Sequence, residues 1–558
     1  MKKIDELLDT KRFHLLLIVS SLFLFFVALA KTEMGAPESS VFWYVSRVHF
    51  TFWPGLLLAA FSMILSIRNK RTYLAFISIL LPVFYLYTFP NLAHEMIPVF
   101  DVYHVIPSVF SIMETGSWDA NAITFPGSHI YQASSVIVLD IELFTYARLF
   151  PTLLAFSIVI FIYTISRRIS ARWAPIAPLV FLSLNWYMEY HLARQPFTVM
   201  LWTAFWLTLF LYVEKHDYRL GILSAFILFA LVPSHPGMLI IVGFNMVFLT
   251  LAVFISLRDS EKEFYFKPVI PLIFVFVAAA GIFYTFVPSI NSYVDSVIED
   301  FMDNGTVRLS FGGPASTSIQ YQFVNRLRML AGIFQSLLAL LGVLALYRKV
   351  SKRALLIGGW FFSVNLWLVY PFTHQGRYIE RAFLAALIPA SVLSVALLKY
   401  YAPKNLDLRN FLRVSIVVIL VAFLLVVPIT KNSIDAIETP SRSSYEAGKF
   451  IERNSDERVH ITDTHEGMFR YIEMSAGSER KFRSRGTHPE EQPYGYPIPR
   501  TDSTELSPMM FTDYFNNYVQ IRYGNSTAVR DIERLEERYS RTSSRVYDSG
   551  GSRVYINP

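Results

Sequence analysis

The sequence predicts an α-helical polytopic membrane protein that ends in a water-soluble α/β domain, and three observations carry that reading. The 558 residues are 53% hydrophobic and only 17% charged, against roughly 25% charge in an ordinary soluble domain. The apolar residues come in blocks: Phe13 to Ala30, Pro271 to Val287 and Phe411 to Val427 reach or approach the roughly 20 residues that cross about 30 Å of hydrocarbon. A soluble core helix would carry a polar stripe there. After Thr430 the composition changes, and charges of both signs return in near balance.

Taken in chain order, about thirteen spans are expected, near 13–30, 48–67, 73–89, 144–165, 173–190, 197–213, 220–232, 238–257, 268–288, 329–347, 354–371, 382–398 and 411–429. The first reads as an uncleaved anchor, being long for a signal peptide. The seventh is short, and Pro233 to Gly237 after it reads as irregular backbone at membrane depth, which protein surroundings tolerate. Residues 1–429 then form a transmembrane domain and 430–558 a soluble one. In that tail, Ser444 to Asn454 and Ala528 to Ser540 read as amphipathic helices and Arg458 to Thr462 and Tyr518 to Arg522 as strands. Arg545 to Tyr555 reads as a hairpin turned at Gly550-Gly551.

Basic clusters such as Arg68-Asn69-Lys70-Arg71, Ser166-Arg167-Arg168 and Arg348-Lys349 fall in one alternate set of connections. Short cytoplasmic loops are enriched in such residues. The expected arrangement is a multi-pass cell-membrane protein with a cytoplasmic N-terminus and an extracytoplasmic tail. The net charge of +7 lies between apolar runs, so it points to the lipid bilayer and away from nucleic acid. Zero cysteines exclude disulfides, thiolate zinc sites, cysteine nucleophiles and iron–sulfur clusters.

The connection 90–147 contains no Lys or Arg, yet carries Glu95, Asp101, Glu114, Asp119, Asp140 and Glu142. Positive-inside selection alone would remove its cations. Its first part, Asn91 to His104, adds His94 and His104 to Glu95 and Asp101 among mostly apolar neighbours. A carboxylate in such surroundings has a raised pKa and suits proton abstraction from a hydroxyl. Alternatively, Glu95 and Asp101 would hold a divalent cation, Mg or Mn, that neutralises a leaving phosphate.

Asp101-Val102-Tyr103-His104, Met113-Glu114-Thr115-Gly116-Ser117-Trp118 and Phe125-Pro126-Gly127-Ser128-His129 together resemble the first large outer loop of the GT-C superfamily. Those are polytopic glycosyltransferases that use polyprenyl-phosphate-linked sugars. The resemblance implies a GT-C-like fold with Asp101 as the catalytic acid-motif residue and Glu95 as a second acid. The segments Trp186 to Pro196, which holds Glu189 and His191, and Ser234-His235-Pro236-Gly237 are similar to archaeal and bacterial members. His104, His129, Glu189, His191 and His235 are the corresponding substrate-binding candidates. Against that, Glu189 and His191 read equally as solvated groups at a span end, and His235 as a helix-end cap.

In the loop Thr373 to Arg381, arginine offers a fork of donors matched to phosphate oxygens. The resemblance implies that Arg377 contacts the donor phosphate, with Arg381 second. Pairing of Arg381 with Glu380, or snorkelling to headgroups, is the alternative. Asn185, Asn245, Gln335 and Asn365 read as interhelical hydrogen-bonding groups. Two features depart from the family: the acidic loop follows the third span instead of the first, and the tail lacks the Trp-Trp-Asp signature of oligosaccharyltransferases. The expected function is therefore sugar transfer from a polyprenyl phosphate to a glycan, lipid or protein acceptor, favouring a monosaccharide transferase. A flippase, polymerase or ligase of lipid-linked glycans is the alternative.

Overall fold

The computed structural model describes residues 11–34, 42–69, 72–98, 101–118, 125–188, 191–258, 269–287, 319–347, 356–362, 377–400, 406–431, 442–454, 459–461, 482–484, 509–512, 544–548 and 552–556, with scattered single residues elsewhere. The chain is an α-helical multi-pass membrane protein. Seven described helical stretches are long and apolar enough to cross a membrane: Lys11–Lys31, Tyr73–Ala93, Leu143–Ile169, Arg194–Lys215, Gln322–Leu346, Phe383–Tyr400 and Asn410–Thr430. Four shorter ones are Phe52–Ile67, Tyr218–Leu231, Ile240–Leu251 and Ile270–Phe286. All the expected spans but the fifth and eleventh are among these, and the eleventh is described as helix over 356–362.

The helices are α1 (Lys11–Lys31), α2 (Trp43–Arg47), α3 (Phe52–Asn69), α4 (Thr72–Val83), α5 (Phe89–Ala93), α6 (Asp101–Thr115), α7 (Gly127–Leu139), α8 (Leu143–Ile169) and α9 (Ile176–Leu184). They continue with α10 (Arg194–Lys215), α11 (Tyr218–Leu231), α12 (Pro236–Arg258), α13 (Ile270–Phe286), α14 (Ile319–Tyr347), α15 (Arg377–Tyr400), α16 (Leu406–Thr430) and α17 (Arg442–Asn454). α4 and α5 are joined by a π-helical turn, Phe84–Thr88, in which the Phe89 N–H donates to Phe84 O. Pro90, with no N–H to give, removes a normal helical bond here, and the wider turn absorbs the loss.

The fifth expected span, 173–190, is shortened to α9, whose 9 residues are all buried. α3, α8, α15 and α16 pack around it. A helix apolar on every side is a core helix in lipid as in water, which is why its composition mimics a span. By contrast, the most apolar window of α16 is 22% buried and that of α1 is 28% buried, leaving wide faces for lipid. Polar groups tie the helices as expected. Asn245 Oδ1 accepts from the indoles of Trp202 and Trp206 at 3.0 and 3.1 Å, Gln335 Nε2 donates to Phe383 O at 2.9 Å, and Asn185 Nδ2 donates to the Tyr87 hydroxyl at 2.9 Å. Asn365 lies outside the described residues.

The cation-free connection folds into α6 and α7. Val102, Ile106 and Val109 form a buried stripe along α6, at helical spacing. Two of its acids serve the backbone. Asp140 takes a left-handed conformation (φ 50°) just beyond α7, and the Glu142 carboxylate caps α8 by accepting from the Phe144 and Thr145 N–H groups at 3.0 and 2.7 Å.

Beyond Lys431 the chain builds a five-stranded mixed sheet from β1 (Val459–Ile461), β2 (Phe482–Ser484), β3 (Met509–Thr512), β4 (Ser544–Asp548) and β5 (Ser552–Ile556), in the order β2-β1-β3-β5-β4. β1 runs parallel to β2 and β3, whereas β5 is antiparallel to β3 and β4. The expected hairpin is β4–β5, the expected helix Ser444 to Asn454 is α17, and of the expected helix Ala528 to Ser540 the described residues Arg534, Glu536, Glu537, Tyr539 and Ser540 are helical. Residues 518–522 lie outside the described residues. α17 packs on β5 and β4. One apolar cluster runs from Ile106 of α6, Val136 of α7 and Phe150 of α8 into Ala447 and Ile451 of α17, Met510 of β3 and Val554 of β5. The sheet domain thus roofs the loop helices.

Candidate active site

The site is assembled where α5, α8, α10 and α16 end or begin beneath that roof. Helices leave their last carbonyls without partners, and here a half-buried arginine supplies them. Arg148 Nη1 of α8 donates to Asn91 O at 2.7 Å and His94 O at 2.8 Å, and its Nη2 donates to Glu95 O at 2.5 Å. The turn carrying Glu95 is thereby fixed. The Glu95 carboxylate itself is exposed and paired with Arg442 at the start of α17, which also lies 4.0 Å from Glu446. The second acid, Asp101, opens α6 six residues on.

His94 is buried against the Trp43 indole, ring centres 5.6 Å apart, and its backbone bridges Met34. The segment after α1 therefore closes over this turn. Burial, with the Arg148 charge second, lowers the His94 pKa to about 3, so the imidazole is neutral. Its Nε2 has no hydrogen-bond partner among the described residues.

A second group lies on α7. Ser128, His129 and Gln132 are buried, and the Ser128 hydroxyl, His129 Nδ1 and both amide atoms of Gln132 lack hydrogen-bond partners among the described residues. Gln195 Oε1 on α10 shares that condition. Buried polar atoms in this state mark places for water or a polar ligand. His129 is held neutral, its pKa lowered to about 3 by burial first and the Arg194 charge second, against a backbone hydrogen bond at Phe125.

The structure brings two of the sequence motifs together. The Gly127 N–H donates to Pro233 O at 3.0 Å, joining Phe125–His129 to the turn before α12 that holds buried Ser234 and His235. A Cβ at Gly127 would stand 2.9 Å from Ser234 Oγ and 3.1 Å from Pro233 O, so glycine is required by close approach.

Cations missed by the sequence reading complete the site. Lys431, buried just beyond α16, holds its Nζ 4.0 Å from the centre of the Tyr87 ring, and the Tyr87 hydroxyl accepts from Asn185. Arg328 of α14 donates to Thr430 O through Nε at 3.0 Å and Nη2 at 2.6 Å, and lies 5.0 Å from the Trp186 ring. Buried His191 is lowered to about 3 by burial first and the Lys431 charge second.

Of the candidates read from sequence, Glu95, His129, His191 and His235 therefore belong to these neighbouring groups. His104 is exposed on α6 while the residues on either side are buried. Arg377 opens α15 and Arg381 lies one turn in, their side chains, like that of Asp101, outside the described residues, as is Glu189 altogether. Arg148 and Lys431 had a visible signal in hindsight: one is the first cation after a cation-free stretch, the other follows a long apolar run.

No protein-family model matches the chain, and no curated protein is similar to it in sequence. Solved structures do share its fold. The apo oligosaccharyltransferase of Archaeoglobus fulgidus superimposes with a TM-score of 0.50 at 12% identity, covering 88% of this chain and 75% of that one. ArnT from Cupriavidus metallidurans, bound to undecaprenyl phosphate, gives 0.51 at 10% identity, covering 87% and 99%. Both are GT-C architectures, and the chain has a GT-C-type fold.

Proposed function

We propose that this chain is a membrane glycosyltransferase that moves a sugar from a polyprenyl-phosphate-linked donor to an acceptor hydroxyl at the extracytoplasmic face, with its N-terminus in the cytoplasm. The observation that carries the reading is that one end of an apolar bundle carries the Arg148-fixed turn bearing Glu95, the buried polar strip of α7 and the cations Lys431 and Arg328. Cations close to a helix bundle's polar end suit a lipid phosphate. A fixed turn suits a base that must meet a hydroxyl.

In this reaction the acceptor oxygen bonds to the anomeric carbon on the face opposite the phosphate. The bond from that carbon to the phosphate oxygen breaks, its electron pair leaves with the polyprenyl phosphate, and the acceptor's proton passes to a carboxylate. Asp101 is assigned as that base and Glu95 as the second acid, available once Arg442 releases it. Arg377, with Arg381, steadies the departing phosphate, and Lys431 and Arg328 supply further positive charge. His129, His191 and His235, with Glu189, belong to the substrate pocket. His104 stays a candidate only at its rim.

A divalent cation, Mg or Mn, on Glu95 and Asp101 is part of the same proposal. Among the described residues no group of three or more histidines or acids gathers at metal-binding spacing, and Glu95 already carries Arg442. A cation on Glu95 would have to displace that guanidinium.

The test is transfer by the purified full chain from a radiolabelled polyprenyl-phosphate sugar. Asp101→Asn is expected to lower the rate by about 100-fold or more. Full activity in that variant removes Asp101 from the role. No transfer by the unaltered chain, together with movement of the labelled lipid across reconstituted vesicles, supports the flippase reading instead.

A further inference from the structure

The opposite end of the bundle holds a cavity of about 380 Å³, within the range of roughly 300–1,000 Å³ usual for small-molecule sites. It lies between α8, α10, α14, α15 and the helical residues 356–362. Its walls are apolar and buried: Ile165, Phe210, Val213, Leu346, Leu356 and Ile357. Its polar lining is confined to Arg168, Glu214 and Tyr400. Arg168 and Glu214 form an ion pair at 3.5 Å, both partly exposed.

Around that polar edge the charge is mostly positive. Arg167 is exposed beside Arg168, its guanidinium 5.9 Å from the Tyr163 ring. Lys399 is also exposed; its Nζ donates to Ile169 O at 2.5 Å and lies 4.7 Å from the ring of Tyr400. Glu214 offsets one of these charges. A cavity with an apolar body and a cationic edge has the complementary form of an amphiphile with an anionic head. Arg168 stands 20 residues along α8 from Arg148, about 30 Å at 1.5 Å per residue, so the cavity is separate from the candidate active site.

We propose that this cavity is a structural binding site for an anionic phospholipid of the neighbouring leaflet. One acyl chain enters between the helices, and the phosphate meets Arg167, Arg168 and Lys399. Basic pockets between transmembrane helices select anionic headgroups on electrostatic grounds. Packing of a chain in the cavity replaces contacts that the walls otherwise lack. The site does not depend on the chemistry assigned to the other end.

The experiment compares thermal midpoints of the full chain in micelles doped with phosphatidylglycerol or with phosphatidylcholine at equal mole fraction. Phosphatidylglycerol is expected to raise the midpoint by about 3 °C or more beyond phosphatidylcholine, as preferential binding to the folded state requires. Val213→Phe, which fills the cavity, and Lys399→Gln, which removes a headgroup cation, are expected to reduce that increment by about half or more. Equal effects of the two lipids overturn the proposal, as does an increment that survives in both variants. An increment from undecaprenyl phosphate where phosphatidylglycerol gives none also overturns it. Should Val213→Phe not fold, Ile357→Phe fills the same space from another wall. Native mass spectrometry of the unaltered chain should then show retained phosphatidylglycerol, and retention of none counts against the site.

Discussion

At one end of the bundle Arg148 gathers three backbone carbonyls under the sheet domain; at the other, Lys399 holds the single carbonyl of Ile169 and Arg413 that of Leu398, the latter at 3.0 Å. The same device, a long cation closing a helix C-terminus, serves two different surroundings. Beneath the roof Arg148 is half-buried, its bonds to Asn91 O and His94 O are partly shielded and that to Glu95 O is exposed, while the nearby histidines are buried and stay neutral. At the far end the cations remain partly in water, and the helices leave a cavity between them. The loop end is built to hold one geometry, the opposite end to exchange with its environment.

That contrast can be broken most directly at its cations. Arg148→Met should cost on the order of 3 kcal/mol, because it strands three carbonyls at once, and should abolish any transfer activity. Lys399→Met, which strands one carbonyl near water, should cost about 1 kcal/mol or less. Thermal or denaturant unfolding of the two variants side by side checks the ratio. Equal costs would show that gathering three carbonyls on one cation adds nothing to holding one.

Acid tests the neutral histidines. His94, His129 and His191 each have a folded pKa of about 3 against an ordinary value of 6.5. Below 6.5 the unfolded chain takes up protons that the folded chain refuses. Stability is therefore complete above that pH and is lost as the pH falls toward 3. By pH 5 each histidine should have withdrawn about 2 kcal/mol. His129→Gln should flatten the pH dependence of the unfolding midpoint; an unchanged slope would mean that His129 protonates freely in the folded state.

The smallest effect belongs to the Glu95–Arg442 pair, which is exposed. Glu95→Gln, Arg442→Gln and the double variant should all leave the unfolding midpoint within about 1 °C. The coupling should appear in transfer kinetics instead. Arg442→Gln frees Glu95 and is expected to change the pH profile of the reaction, whereas a purely structural contact would leave that profile in place.

Much of this architecture is legible in the sequence because hydrocarbon demands long apolar blocks, and blocks are easy to see. α1, α8, α10 and α16 follow from that demand alone. α9 defeats it: a central helix and a lipid-spanning one share a composition, and only packing against α3, α8, α15 and α16 tells them apart. The motifs around Gly127 and Ser234 were legible as pieces, but their contact depends on a turn that no local spacing encodes. Asp140 and Glu142 looked like members of an acidic cluster and proved to be helix-end residues. Gln132 and Lys431 carry no motif, and their meaning comes from burial, as does that of Gln195 within the Trp186 to Pro196 segment. β2 and β3 were unforeseen because Phe482 to Ser484 and Met509 to Thr512 show no alternation of apolar and polar residues, unlike the equally short β1 within Arg458 to Thr462.

α9 also has an electrical consequence. Nine residues of helix rise about 14 Å, less than half of a hydrocarbon layer of about 30 Å. Beyond its end come Asn185 and the Tyr87 hydroxyl that it donates to, with Lys431 against the Tyr87 ring. A membrane potential falls mainly across the least polarisable part of its path and acts on a full charge with about 2.3 kcal/mol per 100 mV. Through the middle of this protein that drop is compressed onto α9, and the charge on Lys431 stands at the edge of a field steeper than the longer neighbours of α9 would give.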